Sequence, residues 1–204
     1  MATITYIGHG SLKLKTEAGT VVYIDPFCDP AWGFDPAFYT EPADLVLVTH
    51  QHYDHNAIEV PAKKPVCEIW QNYEAQPAPG DYRTLTLGEL TVRAVQAYSP
   101  HHKKEACVGY VVTVEGKSIY FAGDTATTEE MKDLAGLGLA AAFLPIDGIY
   151  TMDAAEAAAC AKLLGAKVTV PYHTCPGEPF SREIAETFHC EGRVILEPGE
   201  TLTV

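Results

Sequence analysis

Within Thr49–Asn56, THQHYDHN, three histidines and one aspartate fall in six positions of a chain that has only eight histidines. That crowding points to a site. The apolar run ADLVLV, residues 43–48, comes directly before it and reads as a strand. At the end of a strand, residues i and i+2 share a face, so His50 and His52 can reach one point. On a helix they would diverge. Asp54 and His55 follow where the strand run has ended, so a loop can turn them toward a second point. Imidazole with carboxylate suits zinc, and also manganese or iron.

One loop cannot complete two metal shells, so further donors are expected at other strand ends. SPHHKK carries His101 and His102 after a strand-like run, FAGDT carries Asp124 after SIYF, and VPYHT carries His173 after KVTV. Each polar donor follows an apolar run. All of them can therefore gather along one edge of a sheet system, where open α/β folds place their sites.

The elements that must position these donors begin as strands. ITYIGHGSLKLKT, a turn at EAGT and VVYIDP suggest a hairpin-like start, followed by the Pro- and aromatic-rich loop CDPAWGFDPAFYTEP. ADLVLV is apolar enough for a strand buried on both faces. PVCEIW, RTLTLGELTVRAVQAY and GYVVTVEGKSIYFAGDT read as further strands, with EGK as a hairpin turn. TTEEMKDL reads as a helix capped by Thr127, with Glu130 at capping-box spacing. LAAAFLPI is another buried strand. DAAEAAACAKLLGA is the clearest helix, capped by Asp153 and stopped by Gly165. KVTVPYHT reads as a strand, SREIAETFH as a helix, and RVILEPGETLTV as closing strands. Mixed sheets with helices on their outer faces would bury this pattern.

The chain has 204 residues, which suits one domain or two fused half-domains, and a net charge of −13. That charge argues against broad nucleic-acid binding. It still allows a small anionic substrate held by one local cation, for which Lys103, Lys104 and Arg182 are candidates. No apolar run approaches a membrane span, and MATITYIGHG lacks the features of a secretory signal. A cytoplasmic location is expected, and homo-oligomerisation is left open. Six scattered cysteines read as reduced thiols, with Cys67, Cys107 and Cys160 in the core and Cys175 a plain loop cysteine. His189 reads as solvent-facing.

The order THQHYDH, SPHH, AGDT, PYHT resembles the metallo-β-lactamase superfamily of hydrolases, whose first motif is H-x-H-x-D-H. IGHGSLKL, VVYIDP and PIDGIYTMDAAEAA extend the resemblance over nearly the whole chain, toward the branch of small metal-dependent hydrolases that includes L-ascorbate-6-phosphate lactonase. The resemblance implies an α/β fold, the metallo-β-lactamase-like αββα four-layer sandwich of two mixed β-sheets flanked by helices, as one domain over 1–204. It implies two divalent metals, zinc first and manganese or iron next. His50, His52 and one of His101 and His102 would hold the first metal, and Asp54, His55 and His173 the second. Asp124 would bridge them. The spacing back from Val108-Gly109-Tyr110, compared with relatives, favours His101, leaving His102 as the alternative. His9, in its G-H-G turn, either lines the cleft or is a turn histidine. Asp25 either orients a ligand imidazole or simply ends a strand. Tyr53 spaces the motif, with its ring toward the cleft. Asp147, Tyr150 and Thr151 either line a pocket or form a capped loop.

The implied activity is metal-dependent hydrolysis of an ester, lactone or phosphoester bond in a small substrate. A bridging water would be activated between the metals, with Asp124 fixing their spacing and Asp54 accepting a proton from the nucleophile in a hydrogen bond. No G-x-S-x-G motif supports a serine nucleophile. A nucleic-acid phosphodiesterase is the alternative within this chemistry. An iron-binding redox protein or a metal-binding module without turnover is the alternative outside it.

Overall fold

The computed structural model describes residues 1–204 as two six-stranded sheets. The first contains β1 (Thr3–Gly8), β2 (Ser11–Lys15), β3 (Val21–Ile24), β4 (Ala43–Val48), β5 (Lys63–Gln71) and β12 (Thr201–Thr203) in the order β12-β1-β2-β3-β4-β5. The second contains β6 (Thr84–Leu87), β7 (Leu90–Gln96), β8 (Val108–Val114), β9 (Lys117–Phe121), β10 (Ala141–Pro145) and β11 (Val168–Tyr172) in the order β11-β10-β9-β8-β7-β6. Each sheet passes from antiparallel pairing to two parallel pairings, β3/β4/β5 in one and β9/β10/β11 in the other.

This topology aligns the chemistry. β1, β3 and β4 run the same way, because β2 is antiparallel to both β1 and β3 and β4 is parallel to β3. By the same counting β7, β9, β10 and β11 share a direction. Every histidine and aspartate considered above as a ligand or its support therefore follows the exit end of a co-directed strand.

Alternation builds the core between the sheets. Ile4, Leu12, Leu14, Val22, Leu45 and Leu47 face Val92, Tyr110, Val112, Phe121, Phe143 and Val170 in one buried cluster. Burying each such side chain contributes about 1.5–3 kcal/mol. On the outer face of the second sheet lies α2 (Ala154–Leu164), which packs Ala157, Cys160, Ala161 and Leu164 against Tyr120, Ala142 and Leu144. Asp153 caps it by accepting the Glu156 N–H at 2.8 Å, and left-handed Gly165 ends it. On the outer face of the first sheet the layer is Phe27, Phe34 and Tyr39, carried by the Pro-rich loop and two short 3-10 turns, Pro30–Trp32 and Pro36–Tyr39. The remaining helices are α1 (Asn72–Ala75) and α3 (Arg182–Thr187). The EGK hairpin forms as expected, with Glu115 and Gly116 both left-handed at φ 51° and 74°.

Two elements and one cysteine differ from the sequence expectation. Glu129–Leu137 is a 3-10 helix entered from Thr128. Thr127 instead donates its N–H to Glu156 at 2.7 Å, and Glu130 reaches Lys104 at 3.3 Å. RVIL is not a strand: it makes one bridge, Thr169 to Arg193, and then leaves the edge of β11 as Leu196 enters the core between the sheets. Cys67 is only partly buried, because β5 is an edge strand, whereas Cys107 and Cys160 are core.

Candidate metal centre

Six strand exits converge on one cleft. His9 follows β1, Asp25 follows β3, Thr49 to His55 follow β4, the Ser99–His102 turn follows β7, Asp124 follows β9 and His173 follows β11. His9, Asp25 and His173 hold left-handed backbones, at φ 50°, 46° and 46°. Non-glycine residues adopt that region at a cost, and only where the surroundings fix them. Here the His9 carbonyl accepts the His173 N–H at 3.0 Å, tying the exits of two different sheets together. Gly10 is demanded by space, since a Cβ there would run into the imidazole of His55.

The donors form two groups. His50, His52 and His102 bring their ligand atoms within 4.8 Å of one another, and so do His9, Asp54, His55 and His173. Asp124 lies between the groups. Its carboxylate is 3.2 Å from His102 Nε2, 3.3 Å from His173 Nε2, 3.5 Å from His55 Nε2 and 3.8 Å from His50 Nε2.

Three imidazoles are hydrogen-bonded through their other nitrogen, and a fourth is paired with a carboxylate through it. Asp25 accepts the Thr49 N–H at 2.7 Å, the Thr49 hydroxyl at 2.6 Å and His55 Nδ1–H at 2.9 Å. With its proton committed to Asp25, Thr49 Oγ1 accepts from His50 Nδ1–H at 3.0 Å. Ser99 Oγ donates to the Tyr150 carbonyl at 2.8 Å and accepts from His102 Nδ1–H at 2.8 Å. His173 Nδ1 lies 2.9 Å from Asp147 Oδ2. These partners occupy the Nδ1 side of each ring and aim four Nε2 atoms into the cleft. Three of them, on His50, His55 and His173, are buried with no hydrogen-bond partner, as is Asp124 Oδ1. Buried imidazole nitrogens converging on a carboxylate are satisfied by a cation, a proton in the metal-free chain or a metal ion in its place. The donor set therefore fits divalent first-row metals.

The electrostatics of the chain alone agree. Burial would raise the Asp124 pKa, but His173 and His55 outweigh it and hold the carboxyl well below its usual range. Asp54 is likewise held low, by His9 and His55 against burial. Burial keeps His50 neutral and pushes His9 down to about 4.

Every candidate residue can now be placed. His50, His52, Asp54, His55, Asp124 and His173 are brought together, and His9 joins them, 3.2 Å from Asp54 through Nε2. Asp25 stands behind His55 and Thr49. The preference for His101 is corrected. Ser99 and His102 exchange backbone hydrogen bonds at 3.0 and 3.1 Å, closing a four-residue turn with Pro100 at its second position. His101 sits at the exposed tip against Tyr150, while His102 returns into the cleft. The signal was present in S-P-H-H. Asp147 stands behind His173 rather than lining the cavity, and its Oδ1 gathers the N–H groups of residues 149, 150 and 151. Tyr53 and Tyr150 line the mouth of a cavity of about 450 Å³, with Trp32, Gln51 and Pro176 unforeseen beside them. Lys104 and Arg182 are engaged elsewhere, with Glu130 and with Glu186 and Glu197, and Lys103 does not line the cavity. His189 is exposed, and Cys175 is half-buried beside Thr174.

Known proteins share the sequence pattern and the fold. A family model described as the β-lactamase superfamily domain matches residues 3–173. A UPF0173 metal-dependent hydrolase of Pyrococcus furiosus is 30% identical, over 99% of both chains. Among solved structures, a protein described as a metal-dependent hydrolase from Parabacteroides distasonis superposes with a TM-score of 0.77 at 29% identity, covering 96% of this chain and 94% of the other. Igni18, a metallo hydrolase of Ignicoccus hospitalis, gives 0.77 at 26% identity, covering 98% and 97%.

Proposed function

Because the chain belongs to the metallo-β-lactamase superfamily, and within it to the UPF0173 metal-dependent hydrolases, we propose that its strand-end cluster is a dinuclear centre that hydrolyses an ester, lactone or phosphoester bond of a small molecule. The observation that carries this reading is Asp124, a buried carboxylate set between two groups of donors with Nε2 atoms around it that have no hydrogen-bond partner. His50, His52 and His102 would hold one ion and Asp54, His55 and His173 the other, with Asp124 shared. Zinc suits this set first, with manganese and iron next. Bound ions supply Lewis acidity, polarising the scissile group and making water nucleophilic near neutral pH.

The chain's own residues do the rest. Asp25, Thr49, Ser99 and Asp147 lock the imidazoles in one tautomer, so the donors are set before substrate arrives. Asp54, kept ionised, accepts a hydrogen bond from the attacking water and orients it. His9 holds the Asp54 carboxylate in place. The expected likeness to the L-ascorbate-6-phosphate lactonase branch contributes only one thing here, a reason to keep lactones among the bond types. A cavity of about 450 Å³ suits a small molecule.

The test is metal content by plasma mass spectrometry with a hydrolysis panel of bis-p-nitrophenyl phosphate and lactones. The expected result is about two ions per chain with turnover, and for Asp54→Ala about one ion fewer with turnover abolished. A wild type that takes up no metal and gains no activity when metal is added would overturn the reading.

A further inference from the structure

The walls of the cavity differ in kind from its floor. Above the donors stand Trp32, Tyr53 and Pro176, with Tyr150 also on the wall, and neither lysine nor arginine lines the cavity. Apart from the histidines of the metal cluster, the only charged side chains lining it are the carboxylates Asp54 and Asp124. Lys104 is committed to Glu130 and the face of Tyr98, and Arg182 to Glu186 and Glu197, while Lys103 has no ion pair and does not line the cavity. A phosphorylated or carboxylated substrate would find no counter-charge at the rim. Such groups are usually met by Arg or Lys.

The aromatic rim is built, not incidental. Trp32 ends a 3-10 turn capped by Asp29, whose Oδ1 accepts the Ala31 N–H at 2.8 Å, and left-handed Gly33 stops the turn. Its indole stands edge-on to His9, Phe27 and Tyr53, with centroids 5.4, 5.2 and 6.1 Å away. Tyr150 is held by the two groups that also hold ligand imidazoles. Asp147 accepts its N–H at 2.8 Å, and its carbonyl accepts from Ser99 Oγ at 2.8 Å. Yet Tyr53 and Tyr150 remain 65% and 44% exposed. Large apolar side chains fixed in place and left in water at the mouth of a site mark a binding surface.

We propose that this site selects an uncharged ester or lactone bearing an aryl or other flat apolar group, which lies on Trp32, Tyr53 and Tyr150. The proposal rests on the hydrolase reading above and adds the substrate class. In the reaction the water oxygen bonds to the acyl carbon, and the bond from that carbon to the leaving oxygen breaks with its electron pair on the oxygen. One water proton ends on that oxygen and the other is released from the new carboxylic acid. No further reactant is needed.

The metal-loaded protein is assayed with phenyl acetate against 4-acetoxybenzoate, and with dihydrocoumarin against δ-valerolactone, each rate divided by its uncatalysed rate. The expected result is kcat/KM at least tenfold higher for phenyl acetate than for its carboxylated analogue, and KM at least tenfold lower for the aryl lactone. Tyr150→Arg should reverse the charge preference. Trp32→Phe and Tyr150→Ala should raise KM for dihydrocoumarin more than they lower kcat. Equal or preferred turnover of 4-acetoxybenzoate would overturn the proposal while leaving the hydrolase reading intact. Binding gives a readout free of turnover. Acetanilide, an unreactive neutral arene, should quench tryptophan fluorescence saturably, with the saturable part lost in Trp32→Phe, which keeps Trp70, and an affinity at least fivefold weaker in Tyr150→Ala. Saturable quenching without hydrolysis of any ester would show a rim that binds neutral arenes and sink the hydrolase reading and with it the substrate class, and no quenching at millimolar acetanilide would sink the proposal while leaving the hydrolase reading intact.

Discussion

The imidazole of His173 lies between two carboxylates, Asp124 and Asp147. In the metal-free chain burial disfavours its charge, but Asp124 and then Asp147 outweigh burial and lift its pKa to about 10. An unfolded histidine titrates near 6.5, at about the ordinary value. The stability carried by this proton is therefore fully present below about pH 6.5 and is lost as pH rises through about 10. His9 has the opposite sign. Burial, and then His173, depress it to about 4, so its contribution is present above about pH 6.5 and is lost as pH falls toward 4. Metal uptake must expel the His173 proton. Titration calorimetry at pH 8 in two buffers of different ionisation enthalpy should read at least one proton released per chain, and buffer-independent heats would contradict this account. The Ser99–His102 turn gives a second prediction. His102→Ala should lose about one ion and at least a hundredfold in activity, on the scale of losing a metal's orienting contacts. His101→Ala should change activity less than threefold. At this scale the sequence was informative about donor types and order. It was silent on Ser99 and Thr49 as imidazole partners, because a hydroxyl's partner depends on chain crossings that spacing does not encode.

Elements succeed or fail here by what packs on them. α2 was legible because its cap, apolar face and terminal glycine agree with one another. Asp153→Ala should cost about 1 kcal/mol in a denaturant titration. TTEEMKDL also carried a capping-box signal, yet tertiary partners draw Thr127 and Glu130 away from it. RVIL had a strand composition, but Leu196 gains more by entering the core than by extending an edge. The turn between β1 and β2 is the least tolerant element. Gly10→Ala would drive a methyl group into His55, whose ring is fixed because Asp25 holds its Nδ1. Overpacking of this kind costs about 1–3 kcal/mol. Here it should also lower metal content, so a melting curve and a metal assay on the same preparation read both effects.

Across the molecule, the centre draws on both sheets: β1, β3 and β4 from one, β7, β9, β10 and β11 from the other. A cation there ties two halves that otherwise meet through apolar contact. Chelation should lower Tm by on the order of 10 °C at metal concentrations about a thousandfold above Kd. An unchanged melting curve after verified metal removal would show that the apolar interface alone fixes the sheets. That two sheets form was readable from strand number and apolar alternation. The shared direction of seven strands was not, since pairing register is decided by partners far away in the chain. No helix is long and apolar enough to cross a membrane.

Thr203 pairs with Thr3 on β12 and β1, and Val204 donates its N–H to the Ala2 carbonyl at 3.0 Å. Met1 and Val204 are therefore neighbours at the entry end of β1, while the cleft opens at its exit, six residues and about 20 Å further on. A tag, surface tether or fused protein attached at either residue leaves the mouth facing away from the attachment point. The same adjacency allows a short peptide to join the two residues and new ends to be opened in an exposed loop, a rewiring that leaves every strand around the cleft in place.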